Sequence, residues 1–180
     1  MIETDRLLLR PLERNDLEWY APFLADPEVM RYLSPVGPIG ARAQAAEFLE
    51  RSIHAFDVDG FGHLAVIRKS DGVGIGRCGF LVWETDPWRP STRAGATRAT
   101  EVEIGWMLGR AYWGRGYATE AARAGRDHGF AELAFPRLIS LIHPDNGASI
   151  RVAEKLGMTQ ESTAQTRFGR VLLYATSSPE

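Results

Sequence analysis

The chain of 180 residues contains a single cysteine, Cys78, so it cannot form an internal disulfide. It also lacks an excess of either charge, because 21 basic residues stand against 23 acidic ones, and the net charge of −2 gives no support for nucleic-acid binding. No apolar run approaches the length of a transmembrane helix, and the first residues, MIETDRLLLRPL, lack the long apolar core of a signal peptide. These absences predict a cytoplasmic protein without nucleic-acid or membrane partners.

The composition that remains is that of one globular domain covering residues 1–180. Hydrophobic residues make up 44% of the chain and charged residues 24%, and no repeat or interdomain linker is evident. The histidines show no metal-ligand spacing, so no metal site is expected. Cys78 lies in an apolar stretch with no base near it in the sequence, which predicts a buried, unreactive thiol.

Hydrophobic periodicity predicts a mixed α/β order, with hairpins in the first half and two strand-helix units in the second. The predicted strands are residues 6–12, two strands around the Asp71-Gly72 turn within 62–83, then 101–108, 137–143 and 170–176. The predicted helices are 15–26, bent or ended at Pro22, then 26–33, 41–56, 116–134 and 146–157. The aperiodic stretch 84–100 is predicted to be a long loop.

A pair of glycines marks the corner between the apolar run 104–108 and the next helix. Gly114 and Gly116 lie in RAYWGRGYATEAARAG, where a strand that turns into a helix presents unpaired amides and the positive end of the helix dipole. Such a corner binds anions, usually phosphate, and the flanking Arg110 and Arg115 add charge. The residues after Gly116 fit neither a P-loop nor a dinucleotide fingerprint. A tight turn without a ligand remains the alternative.

A second motif, HPDNGASIRVAEKLGM, follows a β-branched strand and opens another helix. Asn146, or less well Ser149, can cap that helix, and capping alone would explain either residue. In combination with TDRLLLRPL and EIGWML…YWGRGYATEA, however, the chain resembles the GNAT superfamily of acyl-CoA-dependent N-acyltransferases. Within it the sequence is similar to the Rim type, which acetylates ribosomal-protein N-termini. The resemblance implies a GNAT fold of the α/β (α+β) class, in which a mixed central sheet with a splayed pair of strands is flanked by helices.

The resemblance also implies which residues hold acetyl-CoA. The pantetheine arm would lie between the splayed strands 101–108 and 137–143, with backbone contacts from the first of them, and Asn146 would bond it. Ser149 would lie near the sulfur. The implied backbone contacts to pantetheine come from Trp106, Met107 and Leu108, and those to the pyrophosphate come from Gly114, Arg115, Gly116, Tyr117, Ala118 and Thr119.

Two positions depart from the family pattern. Ala111 stands where the family often has Gln or Arg, which removes a side-chain contact to phosphate, with Arg110 one place away. Ala153 stands where many members have a tyrosine acid, so protonation of the leaving thiolate falls to Ser149 or water, or is unnecessary. Glu103 is the favoured general base, and Glu101 shares its strand face. Either carboxylate can instead be a solvated strand residue, and His143 is a rival base.

The resemblance implies an N-acetyltransferase that acts by direct attack of a primary amine, with a protein or peptide N-terminal α-amine as the favoured acceptor. A small amine such as an amino acid, polyamine or antibiotic is the first alternative, and a non-catalytic CoA-binding regulator is the second. The loops 35–41 and 84–100, the latter with Trp88 and three arginines, would choose the acceptor. A monomer or homodimer is expected from the resemblance.

Overall fold

The computed structural model describes residues 1–33, 37–167 and 169–179. Within these ranges the strands are β1 (Ile2–Glu3), β2 (Leu7–Pro11), β3 (His63–Arg68), β4 (Val73–Thr85), β5 (Trp88–Ser91), β6 (Thr100–Leu108), β7 (Arg137–Ile142), β8 (Thr159–Thr166) and β9 (Gly169–Ser177). The α-helices in the same ranges are α1 (Leu17–Ala25), α2 (Pro27–Met30), α3 (Arg42–Asp59), α4 (Tyr117–Ala131) and α5 (Gly147–Lys155).

The strands form one mixed sheet in the order β1-β2-β3-β4-β5-β8-β9-β7-β6, in which β6 also pairs with β4. The antiparallel β4–β6 pairing runs along all of β6, from Gly76↔Leu108 to Glu84↔Thr100. By contrast, within the described residues β6 pairs with the parallel strand β7 through one position, Glu103↔Ile139. The two strands therefore diverge, and the predicted splayed pair is confirmed.

Two hydrophobic cores cover the two faces of the sheet. Leu64, Cys78 and Ile104 point into the core beneath α4 and α5, whereas Ala65 and Met107 point into the core beneath α1 to α3. This alternation follows from the two-residue period of a strand. Glu103 lies four residues before Met107 on the same strand, so its side chain is on the same face, the one covered by α1 to α3.

Small residues set how closely α4 packs on the sheet. A Cβ at Gly125 would lie 3.3 Å from the side chain of Ile104, and one at Gly129 would lie 3.1 Å from the ring of Phe80. The alanine- and glycine-rich face thus lets the helix axis approach β4 and β6. As a result, the first turn of α4 lies beside the end of β6, where the glycine corner joins them.

The stretch 84–100 is more ordered than its sequence predicts. It contains β5, which pairs with β4 and, at Trp88↔Thr166, with β8. The fully buried carboxylate of Glu84 organises the segment, because it accepts hydrogen bonds from Arg89 Nε at 2.5 Å and from the Thr97 amide at 2.6 Å. The prediction of one long loop was wrong, because these contacts satisfy the backbone and charge of the segment locally.

Other differences concern helix α1 and the carboxyl-terminal hairpin. Pro22 neither ends nor divides α1, which continues to Ala25. Strand β8 has no hydrophobic periodicity, because its residues, TQESTAQT, are mostly exposed and polar, and it is defined by pairing with β9. Of the predicted acceptor loop 35–41, residues 35 and 36 lie outside the described residues. No helix in the described part of the chain is long and apolar enough to cross a bilayer.

Candidate functional site

Two side-chain contacts mark the point where β6 and β7 separate. The hydroxyl of Ser140 donates to the Ile104 carbonyl at 2.7 Å, and the Leu141 amide donates to Glu103 Oε1 at 3.1 Å. These bonds take the place of ladder hydrogen bonds between backbones. Beyond them, toward Leu108, the edge of β6 that faces away from β4 has no strand partner among the described residues.

The register determines which amides of β6 face this cleft. The Gly109 amide donates to the Ile75 carbonyl of the neighbouring chain segment, and the register continues without a bulge along the strand. Because antiparallel bonding alternates, the backbone groups of Met107 point toward β4, whereas those of Trp106 and Leu108 point into the cleft. The Leu108 carbonyl accepts from Trp113 Nε1 at 2.8 Å. Trp106 and Leu108 therefore present the cleft-facing amides.

The glycine corner has the backbone conformation that its sequence predicts. Gly114 has φ 72° and Gly116, the residue that precedes α4, has φ 80°, both in the left-handed region that favours glycine. The space where a Cβ of Gly114 would lie is open. The amides of residues 117–119 belong to the first turn of α4, which leaves them without acceptors inside the helix. Loop and helix thus form a concave set of donors suited to phosphate.

Arg6 braces this corner, and sequence reasoning did not identify it. Its Nη1 donates to the Arg115 carbonyl at 3.1 Å, its Nε donates to Glu120 Oε2 at 2.6 Å, and its guanidinium lies 4.5 Å from the ring centroid of Tyr117. Arg110 and Arg115 are exposed beside the corner. The one available signal was that Arg6 belongs to the TDRLLLRPL motif. Its contact with the corner could not be read from spacing, because the two lie far apart in the sequence.

Asn146 and Ser149 open helix α5 at the far side of the cleft. Asn146 Oδ1 accepts from the Ser149 amide at 3.1 Å, which is the capping contact expected of this residue type. Both residues also line the cavity described below. Ala153, one turn later, is completely buried, so this position supplies no proton donor.

A cavity of about 600 Å³ lies between the sheet and the helices α1 to α3 and reaches the divergence of β6 and β7. Its size is that of a small-molecule site. Its lining from β6, β7 and α5 comprises Glu103, Ile104, Gly105, Trp106, Ser140, Leu141, Ile142, His143, Asn146 and Ser149. Its lining from the neighbouring strands β3 to β5 and from the side of α1 to α3 includes Tyr20, Tyr32, Phe48, Arg51, His63, Arg77, Trp83 and Arg89.

Glu103 joins three strands at the floor of this cavity. Besides the Leu141 amide, its carboxylate accepts from Trp83 Nε1 at 2.6 Å. Burial raises the pKa of Glu103, and the two hydrogen bonds together with the charge of Arg77 oppose this rise without cancelling it. A carboxylate with a raised pKa inside a cavity is a candidate proton acceptor.

The structure separates Glu103 from the other candidates for a base. Glu101 lies two residues earlier on the same strand, but its Oε1 is 3.4 Å from Arg137 Nε in an ion pair. His143 stacks on Tyr32 with 5.1 Å between ring centroids, and its Nδ1 accepts from the Asp145 amide at 3.1 Å. The Nδ1 lone pair of His143 is therefore engaged by a backbone amide.

His63 and Arg77 also face the cavity and were missed at the sequence level. Arg77 Nη1 lies 2.6 Å from His63 Nε2. Burial, followed by the charge of Arg77, lowers the pKa of His63 well below its usual value, so the imidazole is the neutral acceptor of this bond. The signal was present as two polar residues interrupting otherwise apolar strands.

Cys78 and the arginines of residues 84–100 have structural surroundings. Cys78 is fully buried, as predicted, and burial raises its pKa to about 12. Arg89 pairs with Glu84, and Arg93 lies over the rings of Phe61 and Phe135 at 4.9 and 5.0 Å. Arg98 donates to the backbone carbonyl of Asp86 in the same segment.

Comparison with known proteins agrees with this geometry. Residues 6–159 match the family model of the acetyltransferase (GNAT) domain. The uncharacterized protein YkkB of Bacillus subtilis (strain 168) is 35% identical over 162 residues, which cover 89% of this chain and 86% of that protein. The crystal structure of a GNAT-family acetyltransferase from Bacillus anthracis superposes with a TM-score of 0.79 at 27% identity and covers 99% of both chains.

Two further relatives have names that include an acceptor. Spermidine N(1)-acetyltransferase of Escherichia coli (strain K12) is 28% identical over 160 residues, 89% of this chain and 76% of that protein. RimL, a ribosomal L7/L12 alpha-N-protein acetyltransferase solved in complex with coenzyme A, superposes with a TM-score of 0.75 at 14% identity, covering 97% of this chain and 95% of that one. At that identity the second match shows the shared fold alone.

Proposed function

The chain belongs to the acetyltransferase (GNAT) domain family and is an acyl-CoA-dependent acetyltransferase, and from this premise we propose that it acetylates the α-amine of a protein or peptide N-terminus. The observation that carries the proposal is the position of Glu103. Its carboxylate lies in a cavity that reaches from the open edge of β6 to the helices of the opposite face. One continuous space thus connects the place for a thioester with a proton acceptor.

The residues present fit acetyl-CoA as the cosubstrate. The cleft-facing backbone groups of Trp106 and Leu108 would bond the extended pantetheine arm as a strand does. The amides from Gly114 to Thr119 would bind the pyrophosphate, with Arg110 and Arg115 adding charge. Asn146 has a side-chain amide nitrogen that its capping bond leaves available for the arm. Met107 contributes to the fold of the strand, since its amide points toward β4.

In the proposed reaction a neutral amine attacks the thioester carbonyl directly. The new C–N bond forms as the C–S bond breaks, the excess proton of the amine passes to Glu103, and the leaving thiolate takes a proton from Ser149 or water. Trp106 presents the cleft-facing amide nearest to Glu103, and its N–H would stabilise the oxyanion. Leu108, two residues farther along, would bond the pantetheine instead.

The proposed acceptor follows from the strength of this base. An α-amine has a pKa of roughly 7.7–8.0, so a useful fraction is already neutral near pH 7, whereas a lysine amine has a pKa of about 10.4. The carboxylate of Glu103 therefore has little deprotonation to supply for an α-amine and far more to supply for a lysine amine. RimL, with the same fold, is named for α-amine acetylation.

The proposed setting of the enzyme is the cytoplasm, where a chain with one cysteine needs no disulfide. In this setting the enzyme acts on its amine acceptor as a monomer or homodimer, without a nucleic-acid or membrane partner.

The test is release of CoA from acetyl-CoA with a panel of N-terminal peptides and a panel of small amines that includes spermidine. Glu103→Gln should lower kcat on the best acceptor by about 10²- to 10⁴-fold, the usual contribution of a general base. Glu101→Gln is the matched control, because it changes a carboxylate on the same strand face that is ion-paired with Arg137. Its kcat should stay close to that of the wild type.

Each other outcome selects a different function. Turnover confined to small amines would refute the peptide acceptor and retain the enzyme class. Equal losses in the two glutamine variants would refute Glu103 as the base. Tight CoA binding without turnover on either panel would favour a regulator that binds CoA.

A further inference from the structure

The charges around the cavity are predominantly positive. Arg51, Arg77 and Arg89 line it, whereas Glu103 is the one carboxylate in its lining among the described residues. The charge of Arg89 is balanced by Glu84, with 2.5 Å between Arg89 Nε and Glu84 Oε2. Arg51 lies 4.3 Å from the ring centroid of Phe48. A polyamine would therefore bring its extra positive charges to a wall that already carries the same sign.

Arg77 lines the cavity without a carboxylate in hydrogen-bonding contact among the described residues. Its one hydrogen bond within the described residues goes to neutral His63, and its Nε is buried without a partner. A half-buried guanidinium whose Nε lacks an acceptor is incompletely compensated, because Glu103 acts on it through its charge and not through a hydrogen bond. An anionic ligand would supply the missing partner, and a planar guanidinium binds a carboxylate with two parallel hydrogen bonds.

The register of β4 and β6 places Arg77 and Glu103 on the same face of the sheet, which forms the floor of the cavity. Arg77 pairs with Met107, while Glu103 lies four residues earlier on β6, an offset of about 13 Å between their backbones. Gly105 lies between them on that face, and the space where its Cβ would project is open. A molecule lying over Gly105 can therefore reach both the carboxylate at one end and the guanidinium at the other.

We propose that the acceptor is an amine that carries a carboxylate: its amine faces Glu103 over Gly105, and its carboxylate binds Arg77. This inference rests on the proposed acetyl transfer and narrows its acceptor class. His63 is a positioning residue, which holds the guanidinium of Arg77 toward the cavity without neutralising it. The carboxylate can belong to an acidic side chain of a peptide or to a free amino acid itself.

The experiment compares matched acceptors that differ in one charge. Peptides with Asp or Glu near the N-terminus are paired with the same peptides carrying Asn or Gln, and free amino acids are paired with their amides. In the wild type, kcat/KM should be about 10- to 100-fold higher for the carboxylate member of the preferred set. A preference for the carboxylate among the peptides indicates a peptide acceptor, and a preference among the amino acids indicates a free amino acid.

Variants assign the preference to its residue. Arg77→Met should reduce the ratio of the two kcat/KM values to about one, and Arg77→Lys should restore part of it. Arg51→Met is the matched control, since it removes another arginine of the same cavity and should keep the ratio. A ratio that survives in Arg77→Met, or is lost in Arg51→Met alone, would overturn the assignment to Arg77.

A binding measurement separates this inference from the proposed function. Calorimetry with the enzyme–CoA complex uses the same matched pairs and requires no turnover. Absence of turnover with a clear binding preference for the carboxylate member would refute the proposed transfer and support the anionic site. Turnover or binding that is equal for both members would overturn the anionic site and leave the transfer standing.

Discussion

Replacing Trp83 by phenylalanine should raise the pKa of Glu103 and shift the pH dependence of the reaction with it. Trp83 Nε1 donates to Glu103 Oε2 at 2.6 Å, and the Leu141 amide donates to the other oxygen at 3.1 Å. Both bonds stabilise the ionised carboxylate against the burial that raises its pKa. Loss of one of them therefore favours the protonated form, which cannot accept a proton from the amine.

The expected size of the shift follows from the strength of such a bond. A hydrogen bond to a charged group contributes about 1.5–3 kcal/mol, and one pKa unit corresponds to about 1.36 kcal/mol. The pKa of Glu103 should thus rise by about 1–2 units in Trp83→Phe. Activity should fall most at acid pH and recover on the alkaline side of the shifted limb.

The assay is kcat/KM for the acceptor as a function of pH at saturating acetyl-CoA. Trp88→Phe is the control, because Trp88 forms the other half of the ring pair with Trp83, with 6.5 Å between centroids, and has no hydrogen bond to Glu103. Its acid limb should stay where the wild type has it. An unshifted limb in Trp83→Phe, or a loss of activity that is the same at every pH, would refute the reasoning.

Two further predictions concern the glycine corner and the fold. Gly116→Ala should weaken CoA binding about tenfold, since a left-handed non-glycine residue costs roughly 1–2 kcal/mol; Gly72→Ala, with φ 70° in an exposed turn, should cost similar stability and leave CoA affinity unchanged, so equal affinity losses would contradict a phosphate role. Asp16→Asn should lower the free energy of unfolding by about 2 kcal/mol at pH 7, because the Asp16 carboxylate binds Arg10 at 2.7 Å. Burial raises the pKa of Asp16, but the hydrogen bonds outweigh it and the pKa is lowered, so this stability is present above the ordinary carboxyl pKa and is lost as pH falls through the lowered value. Urea unfolding of both proteins should therefore converge at acid pH, and a constant difference would contradict the ion pair.

The parts of the fold that depend on local signals could be predicted from the sequence. The turn at Asp71-Gly72 and the start of α4 at Tyr117, directly after Gly116, lie where glycine conformation and helix pattern require them. Strand β5 could not be predicted, because its four residues, WRPS, carry no hydrophobic periodicity and the strand is held by pairing with β4 and by the buried carboxylate of Glu84.

The candidate site likewise has a part that the sequence could predict and a part that it could not. The corner amides follow one another in the chain, so a short motif was enough to indicate them. Glu103, by contrast, gains its surroundings from Trp83 and Leu141, which lie on two other strands and 20 and 38 residues away. The pairing of His63 with Arg77 likewise depends on the register of β3 and β4. The spacing of residues in the sequence does not predict these contacts.

The alternation of backbone groups along β6 has a consequence for how such an enzyme changes over evolutionary time. Every residue other than proline has a backbone N–H, so the proposed contacts of pantetheine with the main chain of Trp106 and Leu108 would tolerate exchange of their side chains. The cavity proposed for the acceptor, in contrast, is lined by side chains such as Arg51 and Arg77. Substitutions can therefore redirect the enzyme to a new amine while the cosubstrate remains bound as before, which separates innovation in specificity from maintenance of the chemistry.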